Sequence, residues 1–420
     1  MEEIYGDCYA RQGSTGENMK TAQGSLMLSS GAAVALSLAA AMPAAATQAG
    51  RHNVNSTVSI TSILKTGDIV TGVRGTAGGK VVLTGSAPAG GGTQTGPFLY
   101  EGHLTTAAKG AAVSVLTPPF PGVTSATFYG PDTHSFNPKA IPSGEVRAVG
   151  SYVSSSAPTG VHDQGMIYLG PVTGSGGSWK SIDVPADGAH TVGHVRACPK
   201  SRHDCLVMDT IAHSTMGDLV VGNYDLNPTV RGGLASGNAF IYNMARQQWT
   251  LLRLGGSLSS KTTLYGIWQN GGGASPRYTL AGGSSARRTQ RGFLRRTQRG
   301  FLMAYNERTG AFGKPRYYRY GNDPALATHF DGITAVPGGY NLVTISSAQD
   351  VSMAFVPVKA HRKSFGRATW YPVRVTNSPL CSGGCSHVTG NTVYKNRVMG
   401  IYLRNSSQDV NSYLAIVSGR

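Results

Sequence analysis

Two aspartates occupy equivalent places in a pattern that recurs six times, a polar or aromatic residue followed by a small one. Asp209 and Asp331 open two of the six segments, the third and the fifth. If the six segments are equivalent strands around one centre, these carboxyl groups face each other across part of it. Paired carboxylates suit general acid–base catalysis, or glycoside cleavage in which one acid protonates the leaving oxygen. The residues that open the six segments are Thr71, Tyr129, Asp209, Tyr265, Asp331 and Thr389.

The same residue types allow other uses, which stay open at this point. Asp209 and Asp331 can bind a calcium ion with backbone carbonyls, or only accept hydrogen bonds from amides of a neighbouring strand. Tyr129, Tyr265 and Trp268 offer flat faces that stack on a sugar ring, although packing between sheets explains them as well. Apart from the calcium alternative, we expect no cofactor and no metal site.

Three histidines lie close to the segment centres, and they predict little. His329 and His387 precede their centres by three residues, whereas His213 follows its centre by three. We therefore expect His213 at the opposite end of its strand, which argues against a shared metal site. The chain also has no Gly-x-Ser-x-Gly elbow, phosphate-binding loop or His-Glu-x-x-His helix.

The elements that position these residues are short β-strands. Each of the six segments is followed by a β-branched run, then by a third apolar run, and in five units by a fourth. Glycine accounts for 57 of 420 residues, about twice its average share, which is typical of turn-rich β proteins. Four strands per unit predict an all-β fold, a six-bladed β-propeller, with five or seven blades as the alternatives. The sixth unit lacks a fourth strand, and we expect residues 54–64 to supply it and close the ring.

A family resemblance supports this architecture. Residues 165–168 (Gly-Met-Ile-Tyr), 179–185 (Trp-Lys-Ser-Ile-Asp-Val-Pro) and 191–193 (Thr-Val-Gly) resemble the HAF-type extracellular repeats of bacterial exoproteins. A weaker likeness is to kelch repeats, through residues 280–283 (Leu-Ala-Gly-Gly) and the spacing of Tyr242 and Trp249. The resemblance implies a secreted propeller and no particular activity.

An eight-residue segment, RRTQRGFL, occurs twice in tandem, at residues 287–294 and 295–302. The six arginines of the two copies suggest a polyanion-binding loop. A solvated, lengthened loop of the fourth unit is the alternative. We expect the second copy to supply the strand at residues 300–305 and the first copy to form a bulge.

The N-terminal segment is typical of export. Met19 and Lys20 precede an apolar run at residues 31–42, and residues 43–46 (Pro-Ala-Ala-Ala) form a small-residue cleavage pattern. We therefore divide the chain into an extension plus signal peptide at residues 1–46, starting at Met1 or Met19, and one propeller domain at residues 47–420. The protein is then secreted or periplasmic, without a transmembrane segment in the mature chain. An oxidising compartment favours two local disulfides, Cys198–Cys205 and Cys381–Cys385.

The net charge of the chain limits the classes of binding partner. The full chain carries a net charge of +17, and removal of residues 1–46 leaves 35 bases and 16 acids, a net +19. Such a field attracts anionic polymers, but no aromatic-interleaved basic run of the nucleic-acid-binding type occurs. We predict an exported, monomeric binding module for extracellular glycan or anionic envelope polymer at the channel mouth. The alternatives are a glycosidase-like hydrolase using Asp209 and Asp331, and a protein-interaction platform.

Overall fold

A computed structural model describes most of the chain after the predicted export segment. Residues 1–46, on which the signal-peptide prediction depends, lie outside the described residues. The described ranges are 58–89, 94–104, 110–198, 204–227, 237–254, 261–272, 275–290, 293–320, 328–348, 351–361 and 364–418.

The described chain is built from β-strands, with short 3-10 helices at Ala77–Gly79, Val192–His194, Val375–Asn377 and Pro379–Cys381. Among these residues no helix is long and apolar enough to cross a membrane. The strands are β1 (Val58–Ile63), β2 (Ile69–Gly75), β3 (Val81–Pro88), β4 (Thr95–Gly102), β5 (Ser114–Val115), β6 (Val123–Thr133), β7 (Glu145–Ser154), β8 (Asp163–Pro171), β9 (Ser178–Ile182), β10 (Val207–Met216), β11 (Leu219–Leu226), β12 (Asn238–Asn243), β13 (Gln248–Leu252), β14 (Lys261–Asn270), β15 (Arg277–Gln290), β16 (Phe293–Asn306), β17 (Ala311–Phe312), β18 (Arg316–Tyr318), β19 (Thr328–Val336), β20 (Gly339–Ala348), β21 (Val351–His361), β22 (Ser364–Ala368), β23 (Tyr371–Pro372), β24 (Cys385–Tyr394), β25 (Arg397–Arg404) and β26 (Val410–Val417).

These strands form antiparallel units of consecutive strands, as the sequence pattern predicts. Four units are separate sheets, and two are joined only by one parallel bridge between β4 and β6. The first strand of each unit contacts the first strands of both neighbours, so β2, β6, β10, β14, β19 and β24 form a closed ring. The described residues thus build a β-propeller of six units around a central channel.

The ring is closed by the N-terminal strand. β1 pairs antiparallel with β26, from Val58 opposite Val417 to Ile63 opposite Ser412. The sixth sheet therefore has the order β1-β26-β25-β24, and its outermost strand comes from the other end of the described chain. The prediction that the segment before the first unit supplies the missing strand is confirmed. Pairing across the two ends removes a strand edge that would otherwise be exposed.

Each innermost strand carries a β-bulge that pushes one residue out of the ladder with the second strand. In five units the second strand meets the bulge with a glycine. A Cβ there would lie 1.8–2.1 Å from a first-strand carbonyl oxygen, so only glycine allows this approach. In the fifth unit Thr344 takes this position, and its hydroxyl donates a hydrogen bond to the His329 carbonyl. The five glycines are Gly85, Gly150, Gly222, Gly282 and Gly400.

The core lies between neighbouring sheets, where two tryptophans of the fourth-strand positions pack against innermost strands and a third packs against the third strand of its blade. Trp179 stacks on Phe128 with ring centroids 5.6 Å apart, and Trp370 lies parallel to Phe330 at 6.3 Å. Trp249 is buried against Phe240. Burial of these large apolar faces stabilises the packing of the strands within each of these three blades.

The duplicated segment differs from the prediction. β15 and β16 pair without interruption from Arg277 opposite Asn306 to Gln290 opposite Phe293. The second copy does supply residues 300–305 to β16, but the first copy is not a bulge, because it extends both strands of the hairpin. The physical reason is the even repeat length. Eight inserted residues add four to each strand, about 13 Å, and keep every residue on its original face.

The two cysteine pairs form disulfides, Cys198–Cys205 and Cys381–Cys385. The first links Cys198, which follows the 3-10 helix Val192–His194, to Cys205, which precedes β10, and the second joins a 3-10 helix to the start of β24. Both cross-links are local, as the spacing of the cysteines predicts.

Candidate functional site

The six bulges place one side chain per blade at the wall of a single cavity. A bulge turns a residue out of the normal alternation of faces, and here all six such residues line the same space. The residues are Thr71, Tyr129, His213, Tyr265, Asp331 and Asn391.

This ring corrects the predicted alignment in two units. The bulged residue of the third unit is His213, four positions after Asp209, and that of the sixth unit is Asn391, two positions after Thr389. The alignment relied on the small residue that follows the bulge in the other four units. In the third unit Ala212 and Ser214 flank the bulge, and in the sixth unit Gly390 precedes it. Small residues alone therefore do not fix the register.

The cavity has a volume of about 270 Å³ and lies toward the N-terminal ends of the innermost strands. Of the residues predicted as a site, it brings together five, namely Thr71, Tyr129, Asp209, Tyr265 and Asp331. Thr389 does not line it, and its hydroxyl instead donates a hydrogen bond to the Asn391 side-chain oxygen at 2.7 Å.

Trp268 is not among the residues that line the cavity, so the structure does not bring it together there with Tyr129 and Tyr265. It follows Tyr265 by three residues, which carries it toward the other end of β14. Its ring packs edge-on against Phe136, with centroids 5.4 Å apart, and Arg74 lies 5.0 Å from its centroid. Trp268 is buried. It lies at the end of the channel opposite the cavity, which we call the lower end.

Asp163 and Asp209 form a carboxylate pair on one wall of the cavity. Asp163 begins β8 of the second blade, and its backbone amide donates to Asp209 Oδ1 of the third blade at 3.1 Å. Burial, followed by the charge of Asp209, raises the pKa of Asp163 to about 6. The Ser151 hydroxyl holds Asp163 Oδ1 at 2.9 Å. Burial also raises the pKa of Asp209, and the Asp163 amide and His162 oppose that rise.

Asp331 lies elsewhere on the cavity wall and has a different environment. Its Oδ1 is 3.0 Å from His329 Nε2, whereas its Oδ2 is buried and accepts no hydrogen bond from the described residues. Burial raises the pKa of Asp331, and His329 lowers it.

The structure also corrects the expectation for the histidines. His213 is the bulged residue, so it lies at the level of Asp331 and not at the opposite end of its strand. Its ring lies between Tyr129 and Tyr265, at centroid distances of 4.9 and 4.5 Å, and Tyr265 in turn lies 5.3 Å from His329. Burial, and then His329, lower the pKa of His213 to about 3. His213 is therefore a neutral imidazole in an aromatic wall.

Sequence reasoning missed Asp163 and Asp225, which both line the cavity. Asp225 ends the motif Gly222-Asn-Tyr-Asp225, and the second blade has Gly150-Ser-Tyr-Val153 at the same place. All three residues after each glycine line the cavity, so an alignment on the second-strand glycine would have found Asp225. Asp163 sits on a third strand and has no repeated counterpart in the sequence.

The charge of the wall is opposite to that of the whole chain. Four aspartates line the cavity, and none of the described lining residues is Lys or Arg. The net positive charge of the protein therefore lies elsewhere, and an anionic polymer bound in this cavity has no cationic partner there. In the described part of the chain, no group of three or more His, Cys, Asp and Glu residues is arranged to hold a metal.

Comparison with known proteins identifies the fold. No family model and no curated protein sequence matches the chain, so the likeness to HAF-type and kelch repeats has no support at the family level. An α-L-arabinofuranosidase of Fusarium graminearum, a mutant with an iminosugar inhibitor, is 9% identical with a TM-score of 0.50, over 83% of this chain and 93% of that chain.

Two further solved structures are more distant. The α-L-arabinanase of Penicillium chrysogenum with arabinobiose is 10% identical (TM-score 0.46, 86% of this chain and 98% of that chain). Trypanosoma rangeli sialidase with sialic acid is 6% identical (TM-score 0.41, 87% of this chain and 59% of that chain). These two likenesses carry no argument about this chain.

Proposed function

We propose that this protein is a glycosidase that cleaves a glycan at the channel cavity, with Asp163 as general acid and Asp209 as its ionised partner. The observation that carries the proposal is the carboxylate pair on the cavity wall. Two neighbouring carboxyl groups in different environments supply an acid and a base at the same pH. Asp163, with a pKa of about 6, keeps its proton under mildly acidic conditions.

This proposal replaces the predicted pair of Asp209 and Asp331. Asp331 is bound by His329 through one oxygen, and the aromatic residues Tyr265 and His213 lie next to that pair. Such a group suits substrate binding better than proton transfer. The rings of Tyr129 and Tyr265 on the same wall offer the flat faces on which sugars stack.

The fold comparison agrees with this chemistry without establishing it, because propellers host many activities. The arabinofuranosidase with the same fold is named for glycoside cleavage. The two disulfides support our proposal that the protein works outside the cytoplasm, where disulfides persist.

A second candidate is a glycan-binding module without turnover. One observation favours it: Asp209 and Asp331 both interact with backbone groups of neighbouring strands, Asp163 and Ile345 respectively. Carboxylates used in this way can be structural.

The experiment is a hydrolysis screen of neutral and charged oligosaccharides with the wild type, Asp163→Asn and the exposed control Asp187→Asn. We expect Asp163→Asn to lower turnover by about 10²–10⁴-fold with the fold intact, and Asp187→Asn to leave it unchanged. Wild-type activity should fall as the pH rises above about 6, because Asp163 then loses its proton. Glycan binding without any turnover would favour the binding module and refute the glycosidase.

A further inference from the structure

Positive charge is concentrated in the fourth blade. Residues 261–306, from the first residue of β14 to the last of β16, contain eight Lys and Arg residues and no Asp or Glu, a net +8 out of +17 for the full chain. The next acidic residue along the chain is Glu307, whose carboxylate accepts hydrogen bonds from Asn243 and Tyr278. The three long strands of this blade therefore supply no carboxylate to pair with their own bases.

The hairpin of β15 and β16 extends beyond the rest of this blade. The ladder between β14 and β15 ends at Lys261 opposite Ser285, whereas β15 and β16 continue to pair with each other. Residues 286–290 and 293–297 pair with no other strand of the described chain. They form a two-stranded ribbon, which we call the basic arm. It continues past the N-terminal end of β14, the end toward which the cavity lies.

The register of the basic arm places arginines directly opposite one another. Arg287 opposes Arg296, and Arg288 opposes Arg295. Because successive residues of a strand belong to opposite faces, each face of the arm has one such pair. Residues that oppose each other in an antiparallel pair have Cβ atoms about 4.5–5.5 Å apart, and like charges at these positions destabilise the hairpin. The tandem repeat thus creates two repulsive pairs, and a bound anion would remove the repulsion.

Arginine is suited to such a ligand. Its guanidinium stays charged and binds sulfate, phosphate or carboxylate groups through two parallel hydrogen bonds. A polymer with repeated anionic groups reaches both pairs of the arm, whereas a small anion reaches one. The two disulfides favour a compartment outside the cytoplasm, and this favours an anionic glycan over a nucleic acid.

We propose that the basic arm is a second glycan-binding site, which binds an anionic glycan polymer through Arg287, Arg288, Arg295 and Arg296. This site goes beyond the proposed function, because none of the described residues that line the cavity comes from the arm. Binding at the arm holds a polymer at the same end of the propeller as the cavity and takes no part in cleavage.

The test measures the affinity for dextran sulfate, with uncharged dextran of the same length as the control ligand. We expect the wild type to bind dextran sulfate and not dextran, with an affinity that falls as the salt concentration rises. The test variant replaces the four arginines of the arm: Arg287→Gln, Arg288→Gln, Arg295→Gln and Arg296→Gln. It should bind dextran sulfate at least about tenfold more weakly than the wild type.

A matched variant controls for net charge. It removes the same charge from four exposed lysines outside the arm: Lys80→Gln, Lys139→Gln, Lys314→Gln and Lys359→Gln. We expect its affinity for dextran sulfate to change by less than about twofold, because charges far from the arm are screened. An equal loss in the two variants would show that only net charge matters and would overturn the proposal. No loss in the arginine variant would overturn it as well, as would tighter binding of a DNA duplex of equal charge than of dextran sulfate.

Deletion of residues 287–294 keeps the test decisive if the arginine variant does not fold. The deletion removes both opposed pairs and should also weaken binding of dextran sulfate, and unchanged binding would again overturn the proposal. The outcome is separable from the proposed hydrolysis. Binding of dextran sulfate at the arm without cleavage of any glycan refutes only the glycosidase. Cleavage of a glycan by a protein whose arginine variant still binds dextran sulfate fully refutes only this inference.

Discussion

The two ends of the channel both bury charged side chains, but they satisfy them differently. At the lower end, Asp132 Oδ1 and Oδ2 accept the amides of Thr133 and Gly217 at 2.9 and 3.0 Å. Arg74, at the same end, donates to the carbonyls of Pro131 and Thr215. Each of these buried groups has its partner within the protein.

Arg147 completes this lower network. Its guanidinium donates to the carbonyls of Gly217 and Ala140, and the arginines Arg74 and Arg147 oppose the rise that burial causes in the pKa of Asp132. Arg74 reaches from the first blade to the second, third and fourth, since it also lies over Trp268. The charges here connect blades.

At the cavity end, the carboxylates outnumber the basic groups. Asp163 and Asp209 lie side by side, and Asp331 keeps one oxygen without a donor. Residue type alone therefore does not separate structural from functional aspartates. A complete set of protein partners marks the structural ones, and a missing partner at an open cavity marks the candidates for ligand binding.

The largest expected effect breaks the lower network. Asp132→Ala removes the buried acceptor of the Thr133 and Gly217 amides and a negative charge near Arg74 and Arg147. We expect a loss of about 3–5 kcal/mol in the free energy of unfolding. Chemical denaturation measures it, with the exposed Asp187→Asn as control. A loss below about 1 kcal/mol would show that the lower charges are as weakly satisfied as the upper ones, and the contrast would disappear.

The bulges that form the cavity wall give the next effect. Gly282→Ala places a Cβ 1.9 Å from the Thr263 carbonyl oxygen, so the strands must separate, and we expect a loss of about 2–3 kcal/mol. The control is Gly383→Ala, whose Cβ would meet nothing nearer than 3.7 Å. Equal stability of the two variants, measured by thermal and chemical unfolding, would contradict the role assigned to the second-strand glycine.

A smaller effect of opposite sign tests the upper carboxylates. The raised pKa of Asp163, about 6 against an ordinary 3.8, means that the folded protein holds this proton more tightly than the unfolded chain. Its stabilising contribution is full below about pH 4 and is lost as the pH rises through about 6. Asp163→Asn should therefore be more stable than the wild type at neutral pH, by about 1–2 kcal/mol.

The measurement for Asp163→Asn is the free energy of unfolding at several pH values. The difference from the wild type should grow between about pH 4 and 6 and then level off. A variant that is less stable at neutral pH would place Asp163 with the structural aspartates of the lower end.

The smallest effect on stability concerns the duplicated hairpin, which belongs to neither of these two sets of buried charges. Deleting residues 287–294 keeps the opposition of Ala286 and Thr297, and of every pair nearer the blade, because the removed length is even. We expect a change in unfolding free energy below about 0.5 kcal/mol and unchanged glycan binding in the cavity. A large loss in either would give the hairpin a part in the cavity.

The sequence predicted the fold better than the site because the fold follows from a strand pattern that repeats along the chain. The six strand patterns and the closing strand, predicted within residues 54–64, each follow from local composition. The long hairpin was not predicted because an even insertion can extend a ladder without a visible signal. The disulfides followed from spacing alone.

The site was harder because bulges decide it. The sequence pattern identified four of these residues because a glycine follows each of them, namely Thr71, Tyr129, Tyr265 and Asp331. His213 lacks that neighbour. Asp163 comes from a third strand, and its importance depends on a contact between blades that no repeat encodes. The difference between the hydrogen-bond and charge partners of Asp132 and those of Asp163 is likewise visible only in the folded structure.

The most direct test of this account is a carboxyl NMR titration of aspartate-labelled protein, wild type and Asp163→Asn. The account predicts one resonance with a titration midpoint near pH 6. This resonance is missing from the variant, and it shifts in the wild type when a glycan ligand is added. If the resonance that disappears in the variant titrates near the ordinary aspartate value of about 4, Asp163 is not a carboxyl group that stays protonated in the cavity at mildly acidic pH, and the account fails.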